Sequence, residues 1–598
     1  MSVSLCMIVK NEEGNLARCL CSVRDFIDEI IIVDTGSTDG TVKIAKSFGA
    51  TIYHHKWNNS FADARNYSLL KATKQWILIM DADDEFERED KEKLLSITDN
   101  KIIGSDLYCG KTLCYSGDMP DNNSVLINLN VRLIRNHVGY KYEGRVHEQI
   151  VLEEENPNDT YPIVATDIRF HHYGYLTSSI TEKDKHKRNI ALIEMELEDN
   201  PENAFMLFNM GNEYFAMQEV ARSLDFYMRS LNNADFSQCY SSVLLIRIVM
   251  CNETLHRDAE AFKFVNLGLQ YYPALTDFEF LKATALLRQK KIEAAIHSYK
   301  KCIKMGSPAA NVNSILGVGT FKPHYALSTI YSKLGDYDKA VWHCRKALQY
   351  NPTFRIAYSE LIGLLKSNGK SAKYIKRRFV KMIPCNFDSY LMLSDLFYVR
   401  KYYTEAYELS IQAEKLAPEN PLIHFYEGMC AFYLGEYKRA YSYLLQAESE
   451  PFQSKSNFIR MLCITFNEKI AKFSAEYDQS GIDAPYYQVV MTYRALIHGE
   501  ECKPLSDNME ESQQYMKPIF DLLEILLKVG RLQDFKRSLQ LLNLITDDKV
   551  LLLLGKMYYR NGYEKLAYRE LMRSIKLTDQ IDAEGFEMMK STITASNE

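Results

Sequence analysis

Small residues recur at a fixed period along the C-terminal two-thirds of the chain, and this repeat constrains the fold more than any other feature. Ala261 and Ala295 lie 34 residues apart, as do Ala406 and Ala440. A small residue also stands twelve positions before each of three alanines: Ser328 before Ala340, Ser394 before Ala406 and Gly428 before Ala440. Small side chains at such positions allow two helices to approach closely. A repeat of this length is typical of helix pairs that bury their apolar faces by stacking on one another.

Two units match one template closely, Tyr325–Pro352 and Met392–Pro418. Units of this length, with small and aromatic residues at fixed places and proline near the end, are typical of tetratricopeptide repeats. An insertion at Gly306–Phe321 and a degenerate stretch at Phe452–Met516 interrupt the period. We predict an all-α tetratricopeptide-repeat solenoid over residues 183–598, with an irregular helical bundle as the alternative.

The N-terminal part of the sequence alternates between strand-like and helix-like segments. Buried strands are predicted at Val3–Val9, Glu29–Asp34 and Trp76–Met80, because each centres on a short apolar run. The segments between them carry apolar residues at helical spacing. This alternation predicts a parallel sheet whose ligands bind beyond the carboxyl ends of the strands. We therefore expect an α/β domain over residues 1–182, with its binding site at that edge.

Acidic residues stand where two of these strands end. Asp81, Asp83 and Asp84 follow one strand directly, and Asp34 closes another before a Thr-Gly-Ser turn. Hard divalent ions such as Mg²⁺ take oxygen ligands, usually one or two carboxylates together with substrate phosphates. Acidic clusters are also common on surface loops by chance, and the residues after Asp34 are good helix caps. The pattern favours a metal site but does not establish one alone.

Bulk composition excludes several classes of protein. A chain of 598 residues is too long for a single core, and a net charge of −6 implies no groove for nucleic acid. No apolar run approaches the roughly 18–20 residues that cross a bilayer, and the first residues lack the features of a signal peptide. The thirteen cysteines have no metal-finger spacing and are expected to be free thiols. We expect a cytoplasmic protein without a membrane span or a nucleic-acid partner.

Four motifs stand in order along the N-terminal part: Ile8–Glu13, Ile32–Thr41, Phe61–Asn66 and Met80–Asp84. This arrangement resembles the family-2 glycosyltransferases of the GT-A fold. The likeness continues to about residue 175 through Asn130–Arg135, Gly144–Glu148 and His171–Tyr175, and then through Lys187–Ile190 into the repeats. The whole is similar to bacterial family-2 enzymes with tetratricopeptide tails, including those that glycosylate a cysteine of a bacteriocin peptide. The resemblance implies an α/β GT-A-type nucleotide-sugar-binding domain followed by an all-α tetratricopeptide-repeat solenoid.

The resemblance also assigns roles to particular residues. It implies that Asp81 and Asp83 bind a divalent metal, Mg²⁺ or Mn²⁺, with Asp83 the more direct ligand. His147 would complete the metal shell or contact phosphate. The donor, a UDP-sugar, would be held by Glu12 near the uracil or ribose, Asp34 at the nucleotide, Arg65 at the diphosphate, and Asp81.

The catalytic base is marked less clearly than the donor site. Many family members carry it in a Glu-Asp pair, which has no clean copy after residue 100. Glu148 is the nearest candidate, with Glu143 behind it. Glu148 could equally orient His147, as carboxylates beside metal-binding histidines do. His171 and His172 are also compatible with simple packing on a strand.

The reaction implied by the resemblance is transfer of a hexose from the nucleotide sugar with inversion at the anomeric carbon. We expect a peptide or protein acceptor, because stacked helix pairs form long concave surfaces that bind peptides. Its nucleophile would be a cysteine thiol or a serine or threonine hydroxyl. The alternatives are an enzyme of lipopolysaccharide or surface-polysaccharide synthesis and a non-catalytic repeat scaffold. The repeats could also pair two copies into a homodimer.

Overall fold

The computed structural model describes residues 2–99, 105–117, 125–152, 163–176, 185–309, 311–447, 452–467, 483–505 and 509–595. The chain divides into two compact units, residues 1–365 and 366–598. The first unit contains the α/β domain and the first helical repeats, and the second contains the remaining helices. The predicted domain boundary between residues 182 and 183 lies outside the described residues and stays a prediction.

The α/β domain alternates strands and helices in its first half and is mostly strand in its second. Its elements are β1 (Val3–Val9), α1 (Leu16–Val23), β2 (Glu29–Asp34), α2 (Thr41–Ser47), β3 (Thr51–His54), α3 (Phe61–Leu69), β4 (Trp76–Ile79), β5 (Asp84–Phe86), α4 (Lys91–Thr98), β6 (Leu107–Gly117), β7 (Leu126–Arg135), β8 (Tyr140–Glu143), β9 (Gln149–Leu152) and β10 (Ile163–Leu176).

The main sheet has the strand order β3-β2-β1-β4-β7-β6-β10-β5. Strands β1 to β4 are parallel to their neighbours within this group, which confirms the predicted parallel sheet. Strand β7 runs antiparallel to both β4 and β6, and β5 runs antiparallel to β10. Strands β1 and β4 are apolar and buried on both faces, as expected in a parallel sheet covered on both sides. The carboxyl ends of β1, β2 and β4 therefore share one edge.

The insertion that interrupts the repeat period adds a strand to this sheet. Within Gly306–Phe321, β11 (Ser314–Ile315) pairs antiparallel with β7. The Asn313 side chain accepts a hydrogen bond from the backbone N–H of Leu129 at 2.8 Å. The α/β domain and the first repeats are thus joined by main-chain hydrogen bonds. No function follows from the sequence of the insertion, and the structure shows that it extends the sheet.

Among the described residues from Lys185 onwards, the elements are helices apart from β11. They are α5 (Lys185–Asp199), α6 (Ala204–Ala216), α7 (Val220–Asn232), α8 (Cys239–Thr254), α9 (Asp258–Tyr271), α10 (Thr276–Arg288), α11 (Ile292–Met305), α12 (Phe321–Lys333), α13 (Tyr337–Tyr350), α14 (Arg355–Ser367), α15 (Ala372–Phe379), α16 (Phe387–Val399), α17 (Tyr403–Glu414), α18 (Pro421–Tyr433), α19 (Tyr437–Gln446), α20 (Gln453–Phe466), α21 (Ala484–His498), α22 (Met509–Lys528), α23 (Leu532–Ser538), α24 (Val550–Arg560), α25 (Glu564–Thr578) and α26 (Ala583–Ala595). The predicted fold class is confirmed.

The twelve-residue spacing of small side chains marks the contact between the two helices of a repeat. Ser328 donates its hydroxyl hydrogen to the carbonyl of Ala340 at 2.8 Å, and Ser394 makes the same bond to Ala406 at 2.9 Å. At Gly428 a Cβ atom would lie 2.5 Å from Leu444. These positions need a small residue because the helices approach too closely for a larger one.

Two expectations from composition can be compared with the structure. All thirteen cysteines are free thiols, and most are buried. Within the described ranges, no helix has both the length and the apolar character needed to cross a membrane.

Candidate functional site

Two carboxylates and an imidazole meet at the carboxyl edge of the sheet. Asp83 and Asp84 follow β4, and β10 runs beside β5 with His172 opposite Asp84. The Nδ1 atom of His172 lies 2.9 Å from Asp84 Oδ1 and 3.6 Å from Asp83 Oδ1. One potential ligand atom from each of the three residues lies within 4.8 Å of the others. Carboxylate oxygen and imidazole nitrogen together suit a divalent cation such as Mn²⁺ or Zn²⁺.

Asp84 is the fixed member of this cluster. It is fully buried, and its Oδ2 accepts hydrogen bonds from Arg132 at 2.6 Å and from the backbone N–H of Asp81 at 2.9 Å. Burial raises the pKa of Asp84, but Arg132 and His172 outweigh that effect and lower it. The ionised carboxylate therefore holds the turn after β4 in place.

His172 is drawn towards its charged form by the same carboxylates. Burial alone would lower its pKa, but Asp83 and Asp84 together raise the pKa to about 9. The imidazole thus occupies a position of strongly negative potential. A metal cation placed there would be stabilised by the same field.

Gly174 allows the cluster to be this compact. A Cβ atom at this position would lie 2.5 Å from Asp83 Oδ2 and 2.7 Å from His172 Nε2, inside ordinary contact distance. At this point of β10, therefore, only backbone atoms face the side chains of Asp83 and His172.

A lysine from the first helix of the repeat region also reaches the cluster. Lys185, at the start of α5, donates a hydrogen bond from Nζ to Asp83 Oδ2 at 3.0 Å. Asp83 is 6% exposed, so the ammonium group contacts a nearly buried carboxylate. The residue that the sequence predicts to be the metal ligand thus already binds a positive charge, the ammonium group of Lys185.

Arg65 connects two other predicted site residues. Its Nη2 donates to Asp81 Oδ1 at 2.7 Å, and its Nε donates to Glu148 Oε1. Burial opposes the charge of Arg65, but Asp81 and Glu148 outweigh it and raise the pKa of the guanidinium above its usual value. The side chain of Asp81 is 36% exposed, so the ion pairs of Arg65 can be reached by a ligand from the side of Asp81.

The two remaining donor-site residues lie at neighbouring strand ends. Asp34 is buried, accepts a hydrogen bond from the backbone N–H of Ser37 at 3.0 Å, and lies 3.2 Å from His54 Nδ1. The backbone N–H of Glu12 donates to the Thr41 hydroxyl at 2.7 Å. The loops after β1 and β2 are thereby tied together.

His147 faces the repeat region. It has a positive φ of 53°, which is uncommon for a residue other than glycine, and its Nε2 lies 3.9 Å from Glu213 Oε1. Burial lowers the pKa of His147 although Glu213 and Glu148 oppose that shift, so the imidazole is neutral and able to bind a ligand. Among the described residues, Nε2 is a buried atom without a hydrogen-bond partner. Its predicted contact with metal or phosphate stays a prediction.

Glu213 organises this side of the site from α6. It is 7% exposed and lies 2.6 Å from His186 Nδ1, and it accepts a hydrogen bond from Asn189 Nδ2 at 2.8 Å. The first two helices after the α/β domain therefore share a polar cluster with His147.

The two candidates for the catalytic base differ in environment. Glu148 has a side chain that is 10% exposed and bonded to Arg65. Glu143, at the end of β8, is 59% exposed and forms an ion pair with Lys141 at 3.2 Å. The structure thus places Glu148 beside the predicted donor-site residue Arg65, and the base assignment itself stays a prediction.

Comparison with known proteins identifies the domain that carries this site. Residues 4–146 match the family described as Glycosyl transferase family 2. These matched residues are a family-2 glycosyltransferase domain, and His172 lies beyond them. Residues 280–305 and 321–354 match the family described as Tetratricopeptide repeat, and the second range contains the predicted unit Tyr325–Pro352.

Several relatives share parts of the chain. The SPbeta prophage-derived glycosyltransferase SunS of Bacillus subtilis is 29% identical over 288 residues, which cover 47% of this chain and 66% of SunS. A TPR repeat-containing protein of Synechococcus elongatus is 34% identical over 215 residues, or 35% of this chain and 51% of the relative. The chain thus spans less than two-thirds of the length of either relative.

Solved structures resemble separate parts of the chain only weakly. A tetratricopeptide repeat protein from Parabacteroides merdae is 12% identical, with a TM-score of 0.28, over 42% of this chain and 95% of its own. Glucosyl-3-phosphoglycerate synthase from Mycobacterium tuberculosis, in complex with Mn²⁺, UDP-glucose and phosphoglyceric acid, is 20% identical, with a TM-score of 0.17, over 19% of this chain and 44% of its own. Neither superposition is close enough to support an argument about the site.

Sequence reasoning assigns no role to two residues of the cluster or to the lysine that contacts it. The sequence places Asp84 only in an acidic run, leaves His172 compatible with packing, and does not mark Lys185. The signal that indicates His172 is its place in the His171–Tyr175 motif. Neighbouring residues of a strand face opposite sides of the sheet, so only one of the two histidines can face Asp84, and the structure shows that it is His172.

Proposed function

We propose that the protein is a metal-dependent, inverting glycosyltransferase that moves a hexose from a UDP-sugar to a peptide or protein acceptor in the cytoplasm. The observation that carries this proposal is the cluster of Asp83, Asp84 and His172 at the carboxyl edge of a family-2 glycosyltransferase domain. All thirteen cysteines are free thiols, which fits a reducing compartment.

The cluster fits a divalent cation because it offers two oxygen ligands and one nitrogen ligand from short side chains. When bound, the metal would neutralise the charge that builds up on a departing nucleoside diphosphate. Asp83 is the predicted direct ligand, while Asp84 is already bonded to Arg132 and acts mainly to position the turn. Lys185 holds Oδ2 of Asp83, so its ammonium group would compete with a metal for that oxygen.

The nucleotide is assigned to the neighbouring strand ends. Asp34 has one carboxylate oxygen bonded to the backbone of Ser37 and is thereby oriented to accept hydrogen bonds from a ribose. Glu12 lies at the end of the adjacent strand β1, and Arg65 provides a fixed positive charge beside Asp81. Because two carboxylates hold the guanidinium in place, Arg65 does not have to become ordered when a ligand binds.

The acceptor is assigned to the helical repeats. A long array of stacked helices is larger than a small sugar or lipid acceptor requires, and such arrays present extended surfaces to peptides. If the nucleophile is a cysteine thiol, its ordinary pKa of about 8.5 leaves a few per cent thiolate at neutral pH. A thiol acceptor therefore depends less on a strong catalytic base, and Glu148 is already engaged by Arg65.

The proposal is tested by incubating the full chain with Mn²⁺, a panel of UDP-hexoses, and peptides that contain cysteine, serine or threonine. UDP release and the product mass are measured together. We expect one hexose to be added to the peptide, and no product after metal removal by a chelator. Asp83→Asn should lower turnover by about 100-fold or more, the order found when one stabilising group is removed from a transition state. The matched control Asp25→Asn changes an exposed aspartate and should leave turnover unchanged.

The outcomes separate the alternatives. Transfer to sugar or lipid acceptors but not to peptides would point to surface-polysaccharide or lipopolysaccharide synthesis. Turnover of no nucleotide sugar under any condition would leave only a scaffold. Full turnover without metal would overturn the proposed role of Asp83.

A further inference from the structure

A second cluster of metal-binding side chains lies in the second compact unit, within the repeats. It is formed by Glu414, the last residue of α17, and by His424 and Glu427 on α18. One potential ligand atom from each residue lies within 4.8 Å of the others. This cluster lies outside the glycosyltransferase domain and is not needed for the proposed function.

Burial makes this cluster unusual. Glu427 is fully buried and His424 is 7% exposed. Among the described residues, both oxygens of Glu427 and the Nδ1 atom of His424 are buried without a hydrogen-bond partner. His424 Nδ1 lies 3.5 Å from Glu427 Oε2. An ionised carboxylate buried in this way costs several kcal/mol unless an opposite charge compensates it.

Among the described residues, no lysine or arginine compensates these carboxylates, and the basic side chain beside them is His424. The described lysines and arginines pair with other glutamates nearby, as Arg439 does with Glu436 at 2.8 Å, and none forms an ion pair with Glu414 or Glu427. Glu414 also stands at the C-terminal end of α17, where the helix dipole adds negative potential and favours a cation. The electrostatics of the cluster therefore call for a positive ion.

The geometry suits a small metal ion. His424 and Glu427 are three residues apart on one helix, so their side chains project from the same face. Bond lengths of about 2.0–2.2 Å place the ligands of tetrahedral Zn²⁺ roughly 3.4 Å apart, close to the observed 3.5 Å. Glu414 is only partly buried and leaves a path by which an ion can enter.

We propose that Glu414, His424 and Glu427 bind one divalent transition-metal ion, best matched by Zn²⁺, which clamps α17 to α18. Two carboxylates and an imidazole provide three ligands, and water completes the shell. The bound ion would stabilise this repeat, because metal that binds only the folded state adds its binding free energy to folding.

The rival explanation is a proton shared between the two carboxyl groups. Burial and the neighbouring Glu414 raise the pKa of Glu427 to about 8, so a neutral Glu427 also removes the buried charge. A shared proton and a bound metal make opposite predictions for zinc binding and for the effect of an amide substitution.

The test measures zinc binding in the full, untagged chain after treatment with a chelator. The background variant Asp83→Asn removes a ligand of the donor site, so that the second cluster is observed alone. In this background we expect about one equivalent of Zn²⁺ per chain by elemental analysis, and a rise in melting temperature on adding Zn²⁺. Adding Glu427→Gln should weaken zinc binding at least about 10-fold and abolish the rise. The control Glu436→Gln, which changes the exposed glutamate just before the next helix, should retain both.

His424→Gln serves as a second variant if Glu427→Gln fails to fold by circular dichroism, and it should lose the zinc equivalent in the same way. Zinc binding that is equal in the Glu427→Gln and Glu436→Gln variants would overturn the proposal. The absence of zinc binding in the background variant would also overturn it. The same holds for a Glu427→Gln variant that is more stable without zinc and unchanged in zinc content, because a shared proton predicts both results. None of these outcomes depends on transfer activity.

Discussion

Replacing Gly174 by alanine should disable the donor-site cluster while leaving the sheet intact. A Cβ atom at this position would lie 2.5 Å from Asp83 Oδ2, whereas ordinary contact begins at 3.4 Å. The carboxylate therefore has to move by about 0.9 Å, the difference between these two distances. Lys185 and His172 contact the same carboxylate, so it cannot move without changing the arrangement of the ligand atoms. The φ angle of Gly174 is outside the left-handed region, so alanine strains no backbone.

The size of the effect follows from that displacement. A misplacement of about 1 Å in a catalytic arrangement costs on the order of 100-fold in rate, which corresponds to about 2.7 kcal/mol in the barrier. We expect Gly174→Ala to lower metal-dependent UDP release at saturating donor by about this factor and to weaken Mn²⁺ binding measured by calorimetry. Melting temperature should change little, because only side-chain ends have to shift.

The matched control is Gly14→Ala, in the loop after β1 at the same edge of the sheet. A Cβ atom at Gly14 would meet no atom within 4 Å, and its φ is also ordinary. This variant should retain wild-type turnover and metal affinity. The reasoning is refuted if Gly174→Ala turns over within about threefold of the wild type with unchanged Mn²⁺ affinity, since the cluster would then tolerate the displacement.

Three further substitutions test the electrostatics of the α/β domain. Arg65→Met removes the partner of the largely buried Glu148 and should lower the free energy of unfolding by about 3 kcal/mol, measured in urea. Lys185→Met frees Asp83 from a charge-assisted hydrogen bond, so Mn²⁺ should bind the donor-free protein about 10-fold more tightly while the KM for the donor rises. Asp90→Asn removes a carboxylate whose pKa burial raises but hydrogen bonds from arginine and lysine lower overall. Its stabilisation is present above about pH 4 and lost as pH falls through the lowered pKa, so the loss of about 1–3 kcal/mol seen at pH 7 should shrink in acid.

The parts of the fold that depend on residues close together along the chain could be predicted from the sequence. The strand β1 and the helix after it follow from local apolar patterns, and the spacing of Ser328 and Ala340 predicts a close helix contact that the structure shows as a hydrogen bond. The second half of the sheet could not be predicted in the same way. Its strands pair over long separations, such as Phe170 with Phe86, and no local pattern specifies which distant strand is the partner.

The same distinction applies to the site. Asp83 was predicted because it directly follows an apolar strand, where position along the chain fixes position in the sheet. His172 reaches the cluster only because β10 lies beside β5, and Lys185 only because α5 follows β10. These contacts depend on tertiary structure, so a motif read along the chain could indicate the histidine pair without showing which one faces the carboxylates.

The contacts of α5 and α6 bear on how the roles of donor and acceptor can be separated. Glu213 holds His186 and Asn189 and lies beside His147, so these two helices are part of the donor-site environment. A chain cut near residue 190 would lose Glu213 and expose the buried imidazole of His147, and a loss of peptide transfer would then say nothing about acceptor binding. Removing residues 366–598 instead leaves the first compact unit whole. Donor hydrolysis that survives this cut while peptide transfer is lost would assign the acceptor to the second unit, whereas retained peptide transfer would confine acceptor binding to the first.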